Sequence, residues 1–154
     1  MLTPYCVIDA FTAEPLRGNP AAVCWMASPR ETGWMQSIAA EMNLSETAFV
    51  EPRPDGFGLR WFTPTIEVPL CGHATLASAH MLYASGRLER REPVRFHTKS
   101  GPLTAHCDGD WIRLDFPAFE SVAAKPPDAW VDVRGSRVEL RGEAVTVSEG
   151  TILA

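Results

Sequence analysis

Short apolar or alternating runs dominate the chain: Tyr5–Ala10, Ala21–Trp25, Thr47–Glu51, Leu59–Phe62, Val94–Thr98, Leu103–Cys107 and Trp111–Phe116. Each is rich in β-branched or aromatic residues and bounded by Gly, Pro or Asp, which predicts strands. Lys99-Ser100-Gly101-Pro102 and Asp108-Gly109-Asp110 read as hairpin connections, so the strands from Val94 to Phe116 form a meander. A turn over Lys99–Pro102 would set residue 97 opposite 104, so His97 and His106 would not face each other. Beyond Phe116-Pro117-Ala118, the stretch Glu120–Asp128 has the composition of a linker. Trp130–Val133 and Val138–Leu140 then flank Arg134-Gly135-Ser136-Arg137 as a further hairpin, and Ala144–Val147 follows as a last strand.

Two segments carry helical periodicity. In the first, about 29–42, Trp34, Met35, Ile38, Ala39 and Met42 recur on one face and leave the other polar. Ser28-Pro29-Arg30-Glu31 has capping-box spacing, with Pro at the first helical position. The second, about 73–85 with Gly86 as its stop, is small and apolar almost all round. Such a helix is buried on most sides, as it would be inside a curved sheet. Sheet plus enclosed helix is an α+β architecture. Only the start of that helix would meet solvent.

That start, Leu70-Cys71-Gly72-His73-Ala74, follows a short β-type run and a proline. It would aim free backbone N–H groups, a thiol and an imidazole at one point, a suitable arrangement for a carboxylate. At a helix N-terminus the dipole favours a neutral imidazole for His73. A thiol there can have a depressed pKa, so Cys71 is a candidate nucleophile or a wall of the site. His80 lies two turns further on, roughly 10 Å along the axis, too far to share a metal with His73. No metal site is expected.

Composition narrows the class. The 154 residues are 45% hydrophobic and 21% charged, enough for one ordinary domain with its own core. A net charge of −5 with no basic run argues against nucleic acid or an anionic membrane as partner. Cys6, Cys24, Cys71 and Cys107 form no C-x-x-C pair and read as reduced thiols. The N-terminus has no signal-peptide pattern, and the longest apolar-leaning segment, Ala74–Ala84, is too short to span a bilayer. The expected setting is the cytoplasm.

Three stretches, Gly18-Asn19-Pro20-Ala21-Ala22-Val23, Glu41-Met42-Asn43-Leu44-Ser45-Glu46-Thr47 and Glu67–His80, together resemble the PhzF family of isomerases, relatives of diaminopimelate epimerase. The tail Arg137–Val147 with Gly150-Thr151-Ile152-Leu153 resembles the extreme C-terminus of the same family. Family chains are about twice as long, with two domains of like fold facing each other across the active site. The resemblance implies one epimerase-like domain built from 1–118 and 130–154, with 119–129 a linker where the family has its second domain. It also implies that Glu46 is the acid/base that moves a proton between substrate carbons, in a pocket dry enough to tune it. Substrate would be held by His73, Gly72, Asn19, Ser45, Cys71 and Ala74, with the Gly72–Ala74 amides orienting its polar groups. Asp9 reads as structural, and Asn19 is also a natural turn former. The D-x-x-T-G-S-A motif of the family's second domain is absent from this sequence.

The function so implied is a proton shift within a small carboxylated metabolite, with no cofactor and no metal, as the phenazine member does on trans-2,3-dihydro-3-hydroxyanthranilate. A catalytically silent domain that binds a ligand or a partner is the other reading. A symmetric homodimer is expected, because a second copy would cover the face that borders the missing domain.

Overall fold

Alternation along the strands decides what each face of the sheet holds. The computed structural model describes residues 2–117 and 130–154; the expected linker, 119–129, lies outside the described residues. The elements run β1 Thr3–Ala10, β2 Asn19–Trp25, α1 Thr32–Met42, β3 Thr47–Arg53, β4 Gly56–Phe62, β5 Glu67–Val68, α2 Gly72–Ala84, β6 Val94–Thr98, β7 Gly101–Asp108, β8 Trp111–Pro117, β9 Trp130–Arg134, β10 Arg137–Gly142 and β11 Ala144–Ile152. All strands join one sheet in the order β11-β1-β2-β3-β4-β6-β7-β8-β10-β9, with β5 on β4. Two pairs, β2–β3 and β4–β6, are parallel, and each is bridged by a helix. The rest are antiparallel, so the fold is the expected α+β arrangement of a curved, mostly antiparallel sheet around one helix.

Inward residues Ile8, Val23, Ala48, Val50, Leu59, Trp61, Phe96 and Leu114 close on α2, whose Ala74–Ala79 and Met81–Tyr83 are buried. Outward residues Cys24, Phe49 and Phe62 pack under Met35, Ile38 and Ala39 of α1. The two helices therefore cover opposite faces, as their different polar patterns predict. Between β10 and β11, which stand near opposite ends of the strand order, the connection is Glu143 alone. A single residue spans that distance because the sheet has curled until β8, carrying Ile112 opposite Gly142, approaches β1, carrying Ala10 opposite Ala144.

Several expectations need correction. Helix α1 begins at Thr32, not near 29: its first bond runs from the Met35 N–H to the Glu31 carbonyl, and no side chain caps it. Contacts at the observed start involve Thr32 and Trp34 instead of Ser28. Arg60 donates to the Thr32 hydroxyl at 3.0 Å, and the Arg30 guanidinium lies 4.9 Å over the Trp34 ring. The β6–β7 hairpin turns on Lys99-Ser100 alone, pairing Thr98 with Gly101, so His97 faces Pro102 and not residue 104. The Thr98 hydroxyl tightens it, accepting the Ser100 N–H and donating to the Gly101 carbonyl, while Gly101 takes φ +89°. His106 faces Arg113, so the two histidines still stand apart. Helix α2 starts one residue early, at Gly72, and ends at Ala84, one residue short of Ser85; Gly86, the expected stop, follows with a φ of +70° that suits a residue without Cβ. The last strand runs on to Ile152, because β1 offers it a full-length edge.

Candidate active site at the start of the buried helix

Three connections deliver the site. After α1, Asn43 takes a left-handed turn with its N–H on the Ala39 carbonyl, and Leu44-Ser45-Glu46 leads into β3. Continuing the alternation of Ala48 and Val50 places Glu46 on the inner face. Asn19 opens β2, parallel and adjacent to β3, and shares that face with Ala21 and Val23. Gly18 makes this entry possible: a Cβ there would lie 2.5 Å from Thr12, 2.6 Å from the Ala10 carbonyl oxygen and 2.9 Å from Asp9. The third connection is the β5–α2 strap that carries Cys71-Gly72-His73.

The His73 ring sits between the other groups. Its Nε2 is 3.2 Å from Glu46 Oε2 and 3.4 Å from Ser45 Oγ, and its Nδ1 is 3.4 Å from Cys71 Sγ. The His73 and Glu46 side chains are only 10% and 21% exposed. Burial pushes the His73 pKa below its usual value, against the upward pull of the Glu46 charge and the Pro20 carbonyl. The ring is thus neutral at physiological pH, a hydrogen-bonding group and not a cation.

Cys71 is buried, and burial, reinforced by the Glu46 charge, pushes its thiol up to about 12. The His73 and Ala74 amides pull the other way without prevailing. This overturns a low-pKa nucleophile at Cys71: desolvation outweighs the helix dipole. No side chain caps the start of α2, and Ala74 itself is fully buried. Gly72 packs against Leu140 and Phe116, where a Cβ would sit 3.5 Å from each. Glu46, Cys71 and His73 bring potential metal donors within 4.8 Å of one another. With the imidazole between carboxylate and thiol, however, its two nitrogens face opposite partners, and the set reads as a hydrogen-bonded chain instead of a convergent cage.

The structure thus joins Glu46, Ser45, Cys71 and His73 in direct contact, flanks them with Gly72 and places Asn19 on the same face. Sequence reasoning passed over Pro20 and Thr75. Pro20 brings its carbonyl to the ring, and the Thr75 hydroxyl and amide both bond the Cys71 carbonyl, at 2.6 and 3.3 Å. Thr75 had a readable signal, a threonine four residues into a helix from the group it bonds. Asp9 is structural as expected: its buried carboxylate accepts the Leu16 N–H at 2.7 Å.

A curved sheet wrapped round one helix, with an acid and an imidazole at the helix start, defines an epimerase-like α+β fold. The chain matches the PhzC-PhzF family, phenazine biosynthesis-like protein, over residues 8–129, and it belongs to that family. An uncharacterized isomerase of Halalkalibacterium halodurans is 58% identical over 118 residues, 77% of this chain and 44% of that protein. A PhzF-family phenazine biosynthesis protein from Enterococcus faecalis superposes over the whole of both chains with a TM-score of 0.88 at 23% identity. A predicted epimerase from Pseudomonas aeruginosa gives a TM-score of 0.63 at 28% identity, over 77% of this chain and 46% of that one. The chain spans about half the length of the curated relatives it matches.

Proposed function

We propose that this chain carries an isomerase half-site that shifts a proton within a small carboxylated metabolite. The observation behind the reading is the 3.2 Å contact between Glu46 Oε2 and His73 Nε2 at the start of α2, in a pocket that keeps the imidazole neutral. Glu46 takes a proton from a carbon next to the substrate's carboxylate or carbonyl. The C–H electron pair moves into the conjugated system, and the same group returns the proton to another carbon. Nothing is oxidised or reduced, so the reaction asks for no redox cofactor. His73, Ser45, Asn19 and the Gly72 amide orient the polar groups.

The test is solvent-deuterium incorporation into a panel of small unsaturated and hydroxylated carboxylates. The expected result is exchange by the parent chain and loss of it in Glu46→Gln, which keeps size and hydrogen bonding but cannot carry the proton. Binding without exchange would favour the silent ligand-binding domain.

The same reading includes a homodimer in the cytoplasm. On β9 and β10 the outward residues form a charged network of Arg134 with Asp132 and Glu139, and Arg141 with Glu139. The opposite face carries Val131, Val133, Val138 and Leu140, with Val133 two-thirds exposed. Leu140 packs on the core, and the part of that face around exposed Val133 is what a second copy would cover. Light scattering at micromolar concentration tests it: a strict monomer ends the dimer reading. None of the helices among the described residues is long and apolar enough to cross a membrane.

A further inference from the structure

Cys71 is the member of the site without a role in the proton shift: it is buried, and its sulfur lies 3.4 Å from a ring nitrogen of His73. We propose that Cys71 is a positioning residue, donating its S–H to His73 Nδ1 and so holding the imidazole in the tautomer whose Nε2–H points at Glu46. This rests on Glu46 being the proton carrier and adds the group that sets the state of its neighbour.

Four observations carry it. First, the Sγ–Nδ1 distance of 3.4 Å suits a thiol donor, since sulfur bonds are longer than oxygen bonds. Second, the thiol is aimed by its own backbone: Thr75 holds the Cys71 carbonyl through hydroxyl and amide together. Third, the thiol keeps its proton, because burial has moved its pKa far above neutrality. Fourth, the other ring nitrogen meets a carboxylate, which has acceptors only. In the opposite tautomer the Nε2 lone pair would face the Glu46 oxygens, a repulsive contact, and an Nδ1–H would have only the weakly accepting sulfur, so the two partners select one tautomer jointly.

The consequence is chemical. An Nε2–H donated to Glu46 Oε2 orients the carboxylate, so the group that takes and returns the substrate proton is held in one geometry. Without the thiol, only the carboxylate at Nε2 favours that tautomer, and nothing holds Nδ1 in its unprotonated form.

Nitrogen NMR of protein labelled in the histidine rings tests this without substrate, with His73→Gln identifying the His73 signals. In the parent chain Nδ1 should resonate as the unprotonated nitrogen and Nε2 as the protonated one. Cys71→Ala should shift the ring to a tautomer mixture, and Cys71→Ser, which keeps a donor, should restore the parent pattern. If the exchange activity is found, Cys71→Ala should lower its kcat on the order of tenfold with KM little changed, and Cys71→Ser should recover most of it. A parent ring already protonated at Nδ1, or a Cys71→Ala ring indistinguishable from the parent, overturns the proposal. The parent measurement decides even if Cys71→Ala does not fold. Absence of exchange in every chain would instead refute the isomerase reading and leave the tautomer result standing.

Discussion

The Glu67 carboxylate receives two hydrogen bonds from Arg60, from Nε and Nη2, each 2.8 Å long. Lys99 adds a third at 2.6 Å, and the Ser100 hydroxyl donates to the Pro69 carbonyl at 2.6 Å. The strap that leads to Cys71 is thereby tied to β4 on one side and to the β6–β7 hairpin on the other. Arg60 holds the Glu67 carboxyl at about 2, with Lys99 helping.

Glu67→Gln should therefore destabilise the fold at pH 7 by about 1.5–3 kcal/mol, the range for hydrogen bonds to charged groups. Most of this comes from Arg60, since Lys99 is largely exposed. Urea unfolding measures it. Because the folded pKa is depressed, the contribution is complete above the usual value of 4.5 and is lost as pH falls through about 2. The parent and the variant should converge there.

Histidine protonation gives a second pH dependence in a different window. Burial holds both His73 and His80 below their usual 6.5. Below pH 6.5 the unfolded chain binds protons at these sites that the folded chain resists, so stability falls with falling pH until the folded values are passed. Above 6.5 both states are neutral, and these groups add no slope. Thermal melts from pH 8 to 5 should show the decline, and His80→Gln, which can keep a bond to the Thr146 hydroxyl now 3.1 Å from Nε2, should flatten part of it.

Thiol labelling should separate one cysteine from three. Cys6, Cys24 and Cys71 are buried and have thiols pushed up to about 12, whereas Cys107 is half-buried. A thiol reagent at neutral pH should modify Cys107 first and the others only on unfolding. Cys6 and Cys24 will not bridge on oxidation, because they sit on opposite faces of the sheet, one in each core. Rapid labelling of Cys71 would contradict its enclosed position.

Two glycines in the site motifs should respond oppositely to Ala. Gly18→Ala forces a Cβ within 3 Å of backbone and side-chain atoms of the first strand and its loop, and should cost about 1–3 kcal/mol. Gly72→Ala meets only ordinary contacts with Leu140 and Phe116 and should fold as well as the parent. Thermal melts compare them. Comparable losses at both would mean that Gly72 is structurally required in a way its surroundings do not show.

Much of this was legible in the chain because it is local. Strand runs, the all-round apolar helix and the Gly86 stop follow from patterns spanning only a few residues. The Ser-Glu-Thr and Cys-Gly-His motifs likewise single out Glu46 and His73 through the family resemblance alone. Local rules failed where a distant residue decided. Ser28 offered a cap, but α1 starts at Thr32, whose hydroxyl accepts from Arg60, 28 residues away.

The sequence by itself determined the alternation that sorts residues to the two faces of the sheet, and the identity of the groups at the head of α2. Tertiary structure alone decided their state. A thiol at a helix start reads as activated, and three amides there read as open to a carboxylate. Once the sheet closes over Cys71, desolvation exceeds the dipole, the sulfur keeps its proton, and the thiol lies against His73 Nδ1. Dipole and residue type act over one turn and can be read along the chain. Burial depends on every strand that folds back, and no local pattern contains it.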